Sequence, residues 1–401
     1  MTIFLGAFLL FLVQPLLGKA ILPAFGGTPA VWLTCLLFFQ ILLLGGYVYA
    51  YLVGRLRSPR LQGAVHVAAL GAMLFWLPIL PTHGFTPDPG SSPTLSILLQ
   101  LARSVGGPFL VLAATGPLLQ AWYVRRFPGR SPYRLYALSN AGSLLALLGY
   151  PLFVEPALAL GDQARLWSVG LAIFAIACVT WAWRARTAQA AAAPIAADVQ
   201  PTPRPDKLTI GLWFVLSTCG SALLLATTSQ ISQNVAAVPL LWVVPLALYL
   251  VTFILCFEHP RWSRRGPVAW MVAVALPLTG GVAVFGHEMG MAPQVAVLCF
   301  TLFAGCMACH GELARLAPAP RHLAAFYLCI AAGGALGSAL VTVVAPQIFE
   351  VVLEFPVSLA AVVIAMLIAR RRESLLAWAR RPRRRGKRRA LVAAGALVLV
   401  A

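Results

Sequence analysis

A chain of 401 residues that is 60% hydrophobic and only 10% charged falls outside the composition of soluble domains, in which about a quarter of residues are charged. Its 30 Lys+Arg against 11 Asp+Glu give a formal charge of +19, yet the cations lie between apolar runs and form no stripe of the kind that tracks a phosphate backbone. Soluble and nucleic-acid-binding readings are excluded, and the composition is that of an all-α, polytopic integral membrane protein.

A helix crossing roughly 30 Å of hydrocarbon needs about twenty apolar residues. Such runs lie at 2–22, 30–53, 61–80, 105–124, 135–154, 166–183, 208–226, 235–257, 267–285, 293–309, 323–344 and 355–369, which makes twelve spans. The first lacks a basic leader and a small-residue cleavage site and contains Lys19, so it reads as a retained helix and not a signal peptide. Even-numbered connections hold Arg55, Arg57 and Arg60; Arg125, Arg126, Arg130 and Arg134; Arg184, Arg186, Arg204 and Lys207; Arg261, Arg264 and Arg265; and Arg315 and Arg321. A further basic run occupies 370–389, so that only Lys19, Arg103 and Arg165 fall elsewhere. By the positive-inside rule the arginine-rich side and the N-terminus are cytoplasmic, as in a bacterial inner membrane. Asp88, Glu155, Asp162, Glu288, Glu350 and Glu354 then lie outside. Trp122, Tyr123, Trp181 and Trp183 precede cytoplasmic arginines, where amphipathic rings anchor at the headgroups. The eight cysteines all fall in or at the ends of apolar spans, as buried thiols do.

Two short correspondences indicate internal duplication. Pro29-Ala-Val-Trp32 matches Pro239-Leu-Leu-Trp242 at an offset of 210, and Leu135-Tyr136 with Ala141-Gly142 matches Phe326-Tyr327 with Ala332-Gly333 at 191. Six helices per repeat leave both halves in the same orientation, an arrangement similar to that of major-facilitator (MFS) transporters. The expected organisation is a six-helix bundle over 1–183, a cytoplasmic linker over 184–207, a second bundle over 208–369, a basic cytoplasmic segment over 370–389 and the start of a further helix over 390–401. In such a fold the third helix of each triplet faces lipid, and spans 6, 9 and 12 are accordingly the plainest, with His66 the polar feature of span 3. Polar side chains at membrane depth face a bundle interior or water. Gln14, Lys19, Gln40, Gln120, Asn140, Thr218, Ser221, Thr227, Thr228, Gln230 and His310 are therefore expected around a central cleft.

Longer motifs carry a family resemblance. The run Gln14-Pro15-Leu16-Leu17-Gly18-Lys19 continuing through Leu22-Pro23-Ala24-Phe25-Gly26-Gly27-Thr28-Pro29 to Trp32, with Tyr133 to Ser143, Val238 to Tyr249 and Cys309-His310-Gly311-Glu312-Leu313-Ala314, resembles the membrane half of bacterial fused MFS/spermidine-synthase proteins. The resemblance covers nearly the whole chain. It implies a cytosolic aminopropyltransferase-like α/β domain as partner, but no glycine-rich strand-to-helix turn followed by acids occurs here, so no cofactor and no catalytic residue is expected in this chain. The twelve apolar residues from Ala390 are too few to cross a bilayer. If they open a thirteenth helix, a cytosolic enzyme requires at least fourteen.

Each candidate has a plain reading beside the functional one. Lys19, about a turn from the outer end of span one, either snorkels to the headgroups or acts as a cleft cation that binds an anion or pairs with a glutamate. Gln14 is either a cleft group or an interhelical hydrogen bond. Tyr136, Asn140 and Ser143 share one helix face and either line the cleft or pack against small residues. Gly333 and Gly337 have the spacing of a close helix contact. Cys306-Met-Ala-Cys309-His310 matches the c-type haem attachment pattern, but it lies at the cytoplasmic end of span ten within the family motif, and haem is not expected. Glu312 pairs with Arg315 one turn on or guards the cytoplasmic mouth. The run Arg380–Arg389 suits anionic lipid. Two functions remain: a transporter-like module with an unknown substrate, or a non-transporting anchor or sensor for the enzyme domain. A polyamine needs intramembrane carboxylates to replace its hydration, and none lies at midplane, so an anionic, zwitterionic or apolar substrate fits better.

Overall fold

The computed structural model describes residues 1–56, 58–80, 85–86, 90, 92–127, 133–191, 205–234, 242–319, 322–349 and 353–372, with the backbone alone for 133–134, 181–191 and 234. Met1–Met366 form one compact unit. Among the described residues, twelve helical rods succeed one another: α1 (Thr2–Phe25), α2 (Pro29–Gly54), α3 (Pro59–Met73), α4 (Pro93–Arg126), α5 (Tyr133–Gly149), α6 (Leu160–Ala191), α7 (Lys207–Asn234), α8 (Val243–Glu258), α9 (Arg265–Phe285), α10 (Met291–Arg315), α11 (Leu323–Ala339) and α12 (Glu354–Arg370). No strand occurs among the described residues. Nine of the described helical segments are long and apolar enough to cross a membrane, and α8 adds a shorter apolar one.

Local chemistry sets several ends. Ser58 and Ser92 precede Pro59 and Pro93, and each serine oxygen accepts from the backbone N–H three residues on, at 3.4 and 3.3 Å. A capping hydroxyl followed by a proline whose missing N–H needs no partner is a strong helix start. It explains why α4 begins at Pro93, well before the expected 105: residues 93–104, expected as connection, are helical despite Gln100 and Arg103. Asp206 caps α7 through the Thr209 N–H at 3.0 Å. The other end of that helix reaches Asn234, so Thr227, Thr228 and Gln230 lie within it. The run Ala188-Gln189-Ala190-Ala191 consists of strong helix formers, and α6 continues through it into the expected linker. Residues 235–241 of expected span eight, most of the linker, the basic run after Arg372 and the expected further helix lie outside the described residues.

The packing repeats with a shift of six helices. The pairs α1–α5, α2–α4 and α1–α4 recur as α7–α11, α8–α10 and α7–α10, and the two halves meet through α2–α11 and its counterpart α5–α8. The offsets seen in the sequence reappear as contacts. A Cβ on Gly142 would stand 2.7 Å from the Phe4 carbonyl oxygen, and one on Gly333 would collide with that of Phe214. Each pair therefore marks the same close helix crossing, available only to glycine. Helices α5 and α11 each run on into a π-helical turn, at Tyr150–Val154 and Leu340–Val344. Pro156 and Pro346 follow these turns. A proline has no N–H to offer and its ring crowds the carbonyl four residues back, and a wider turn relieves both. Repeat partners also meet each other: the rings of Trp32 and Trp242 lie 6.1 Å apart, and those of Tyr136 and Tyr327 stack at 5.2 Å and 19°. In α9 only 17% of the apolar window is buried, against 67% in α1 and α7, which puts a third-of-triplet helix on the rim.

Candidate functional site

Between the halves, where α1, α2, α4 and α5 face α7, α8 and α11, lies a cavity of about 140 Å³. That is below the roughly 300–1,000 Å³ of drug-sized sites and close to the roughly 150 Å³ that holds benzene in an engineered protein core. Among the described residues that line it, none is Asp, Glu, Lys, Arg or His.

One wall is built by α5. Tyr136, Ser139, Asn140 and Ser143 recur at three- and four-residue spacing, so they share a face, and all four line the cavity. The Asn140 amide nitrogen donates to the Tyr136 carbonyl at 3.0 Å and the Ser143 hydroxyl to the Ser139 carbonyl at 3.2 Å. These bonds leave the Asn140 carbonyl oxygen without a protein partner among the described residues. From α4, Gln120 accepts from the Tyr327 hydroxyl of α11 at 2.7 Å, which ties the halves together and leaves its amide NH2 unpaired among the described residues. Gln40 of α2 lines the cavity where Gly334 leaves room: a Cβ on that glycine would stand 3.3 Å from both the Gln40 amide oxygen and the Ser221 hydroxyl. On the second half, the Ser221 and Tyr249 hydroxyls lie 3.3 Å apart, and one donates to the other.

Of the residues expected at a cleft, the structure brings Gln40, Gln120, Tyr136, Asn140, Ser143 and Ser221 to this cavity. The others lie elsewhere. Gln14 is buried, and its amide folds back onto the Leu10 carbonyl of its own helix at 3.3 Å, so the bond is not an interhelical one. Lys19 pairs with Glu155, beyond the π turn of α5, at 2.5 Å, with both side chains about a third exposed. Thr218 donates to the Phe214 carbonyl at 2.9 Å and Thr227 to that of Leu223 at 2.7 Å, each within α7. Thr228 donates to the Leu224 carbonyl at 2.8 Å and Gln230 is half-buried, both at the far end of α7. Glu312 pairs chiefly not with Arg315, at 3.6 Å, but with Arg265, whose Nε and terminal nitrogen donate at 2.8 and 2.9 Å.

His310 stands just behind the wall, stacked on cavity-lining Phe253 at 3.6 Å and met edge-on by cavity-lining Tyr249. The Thr252 hydroxyl has one proton, which goes to the Tyr249 carbonyl at 2.7 Å. It must therefore accept from His310 Nδ1 at 2.8 Å, leaving Nε2 as a buried acceptor without a partner among the described residues. The neighbouring Cys306 and Cys309 are buried inside α10. Among the described residues no group of three or more His, Cys, Asp or Glu could hold a metal.

Tyr47 and Tyr249 line the cavity although the polarity pattern along the spans does not single them out. Tyr249 ends one of the family-like motifs, which is the one signal that marks it. Tyr47 sits in an aromatic run, Tyr47-Val-Tyr49-Ala-Tyr51, where nothing local separates a lipid-interface tyrosine from a cavity tyrosine.

No protein-family model matches the sequence, and no curated protein matches it. Solved structures do. The proton:xylose symporter XylE bound to 6-bromo-6-deoxy-D-glucose is similar over 92% of this chain and 93% of its own, at 12% identity and a TM-score of 0.57. An auto-inhibited POT family peptide transporter is similar over 96% and 97%, at 14% and 0.55. A POT family transporter in complex with 5-aminolevulinic acid is similar over 92% and 93%, at 11% and 0.53. At these identities the likeness defines the fold alone: a multi-pass helical membrane protein with the architecture of MFS transporters.

Proposed function

We propose that this chain is a transporter-like module that carries a small, uncharged or zwitterionic solute across a bacterial inner membrane, as the membrane half of a fused MFS/spermidine-synthase-like protein. The observation that carries this reading is the cavity itself. It lies between two pseudo-symmetric halves, and among the described residues it bears amide and hydroxyl groups without partners and is lined by no charged side chain. A bundle serving only to anchor an enzyme has no use for unpaired polar groups at its centre, where each costs free energy. A polyamine would meet no carboxylate among the described lining residues, which argues against direct polyamine transport. The arginine-rich connections support a cytoplasmic N-terminus, and the family-like motifs support a tethered aminopropyltransferase-like partner.

The test is solute flux in proteoliposomes. Protein-dependent uptake of a neutral or zwitterionic solute, reduced at least about tenfold by Asn140→Leu in a variant that still inserts and melts normally, is the expected result. Flux of putrescine in preference to neutral solutes would overturn the substrate class. Full activity of a fused enzyme with no flux of any solute would favour the anchor.

A further inference from the structure

The cavity is far more polar on one side than on the other. Among the described residues, most of the lining hydroxyls and amides that lack a full set of protein partners belong to the first half: Gln40 and Tyr47 on α2, the NH2 of Gln120 on α4, and Ser139 and the carbonyl oxygen of Asn140 on α5, with Thr2 at the start of α1. The second half contributes Leu246, Leu250, Phe253, Ile330, Ala331 and Gly334, and its two polar residues, Ser221 and Tyr249, bond to one another at 3.3 Å, which leaves a single hydroxyl proton between them. The free groups include both kinds of hydrogen-bonding atom: the Gln120 NH2 donates, the Asn140 oxygen accepts, and Gln40 does both.

We propose that the cavity binds a compact, uncharged, planar heteroaromatic molecule, with adjacent donor and acceptor atoms on one edge facing α2, α4 and α5 and an apolar face against α8 and α11. This deepens the transporter reading and rests on it only for the passage of the ligand across the membrane. Three features exclude the alternatives. An ion would leave water for a cavity whose described lining residues offer no counter-charge. A polyol carries hydroxyls all round, and each one pressed against Leu246, Leu250 or Ile330 would lose its hydration unpaired, on the order of ten- to a hundredfold in affinity per group. A volume of about 140 Å³ suits a ring system only slightly larger than benzene. The pairing of side-chain carboxamides with a donor–acceptor edge is also the geometry by which Asn and Gln read a base edge.

The test uses the full chain in lipid nanodiscs and equilibrium dialysis with labelled adenine and nicotinamide, with D-glucose and putrescine in parallel. At least one heterocycle should bind, glucose and putrescine should not, and Asn140→Leu and Gln40→Leu should each weaken binding about tenfold or more. Gln14→Leu, buried away from the cavity, should leave binding unchanged. Gly334→Ala, which narrows the space beside Gln40 without removing a polar group, keeps the test sharp if a leucine variant fails to fold, and it too should weaken binding. Binding of glucose in preference, no binding of either heterocycle, or binding that is indifferent to Asn140→Leu, Gln40→Leu and Gly334→Ala would overturn the proposal. The two readings separate cleanly: heterocycle binding without flux sustains this inference and sinks the transporter, whereas flux of another solute without heterocycle binding does the reverse.

Discussion

Glu312 is only 5% exposed on α10, and its carboxylate takes two nitrogens of Arg265 from the start of α9, with Arg315 further off at 3.6 Å. A bidentate guanidinium–carboxylate pair is the strong form of this interaction, and removing one partner of a buried pair leaves a charge stranded. Arg265→Ala should therefore lower stability by about 2 kcal/mol or more, discounted from the fully buried case because Arg265 is half exposed. Arg315→Ala should cost less than about 1 kcal/mol. Thermal melting of the purified variants checks the order, and equal losses would count against Arg265 as the principal partner. The sequence displays the Arg315 contact because it lies three residues away on the same helix. Arg265 is 47 residues distant, and no periodicity reports that. The same holds for Lys19 and Glu155, 136 residues apart: a glutamate partner was foreseeable, but which glutamate was not. On α5, by contrast, the shared face of Tyr136, Asn140 and Ser143 follows from helical spacing alone and survives into the cavity wall.

At the scale of single helices, hydropathy locates the rods but misplaces ends that capping controls. Helix α4 starts at Pro93 because Ser92 caps it, a short local signal outweighed in any apolar window by Gln100 and Arg103. Helices α5 and α11 show how composition translates into geometry. Gly142 and Gly333 admit a neighbouring backbone carbonyl where any Cβ would intrude, and in a membrane such close packing takes the place of hydrophobic driving force. Gly333→Ala and Gly142→Ala should each lower the melting stability by about 1–3 kcal/mol, the usual cost of overpacking. Gly280→Ala in α9, where a Cβ meets nothing within 4 Å, should be neutral or stabilising by up to about 1 kcal/mol. Melting curves of the three variants compare them directly, and a loss at position 280 matching that at 333 would remove the packing explanation. The GxxxG spacing made Gly333 and Gly337 legible. Gly142 has no such spacing and is recognised only through its repeat partner.

At the scale of the molecule, repeat partners face each other at two levels, Trp32 with Trp242 and Tyr136 with Tyr327. On the transporter reading proposed above, the two bundles rock about a central site and must part at such contacts. Cysteines replacing Trp32 and Trp242, joined by a short cleavable linker, should abolish flux, and cleavage should restore it; flux through the linked protein would show that the tryptophan contact does not open. By itself the sequence determined that the chain is a helical, multi-pass membrane protein of about twelve spans in two repeats. Apolar run length, arginine placement and internal offsets are each written along the chain and need no partner to be read. Only the tertiary structure decided which polar residues converge. Gln40, Gln120 and Asn140 reach one cavity from three helices, while Gln14 and Lys19, polar residues of the first span, turn to their own backbone or to a distant carboxylate. The physical reason is that a helix fixes which residues share a face, but the direction in which that face points is set by close crossings such as Gly333 on Phe214, made between residues far apart in the chain.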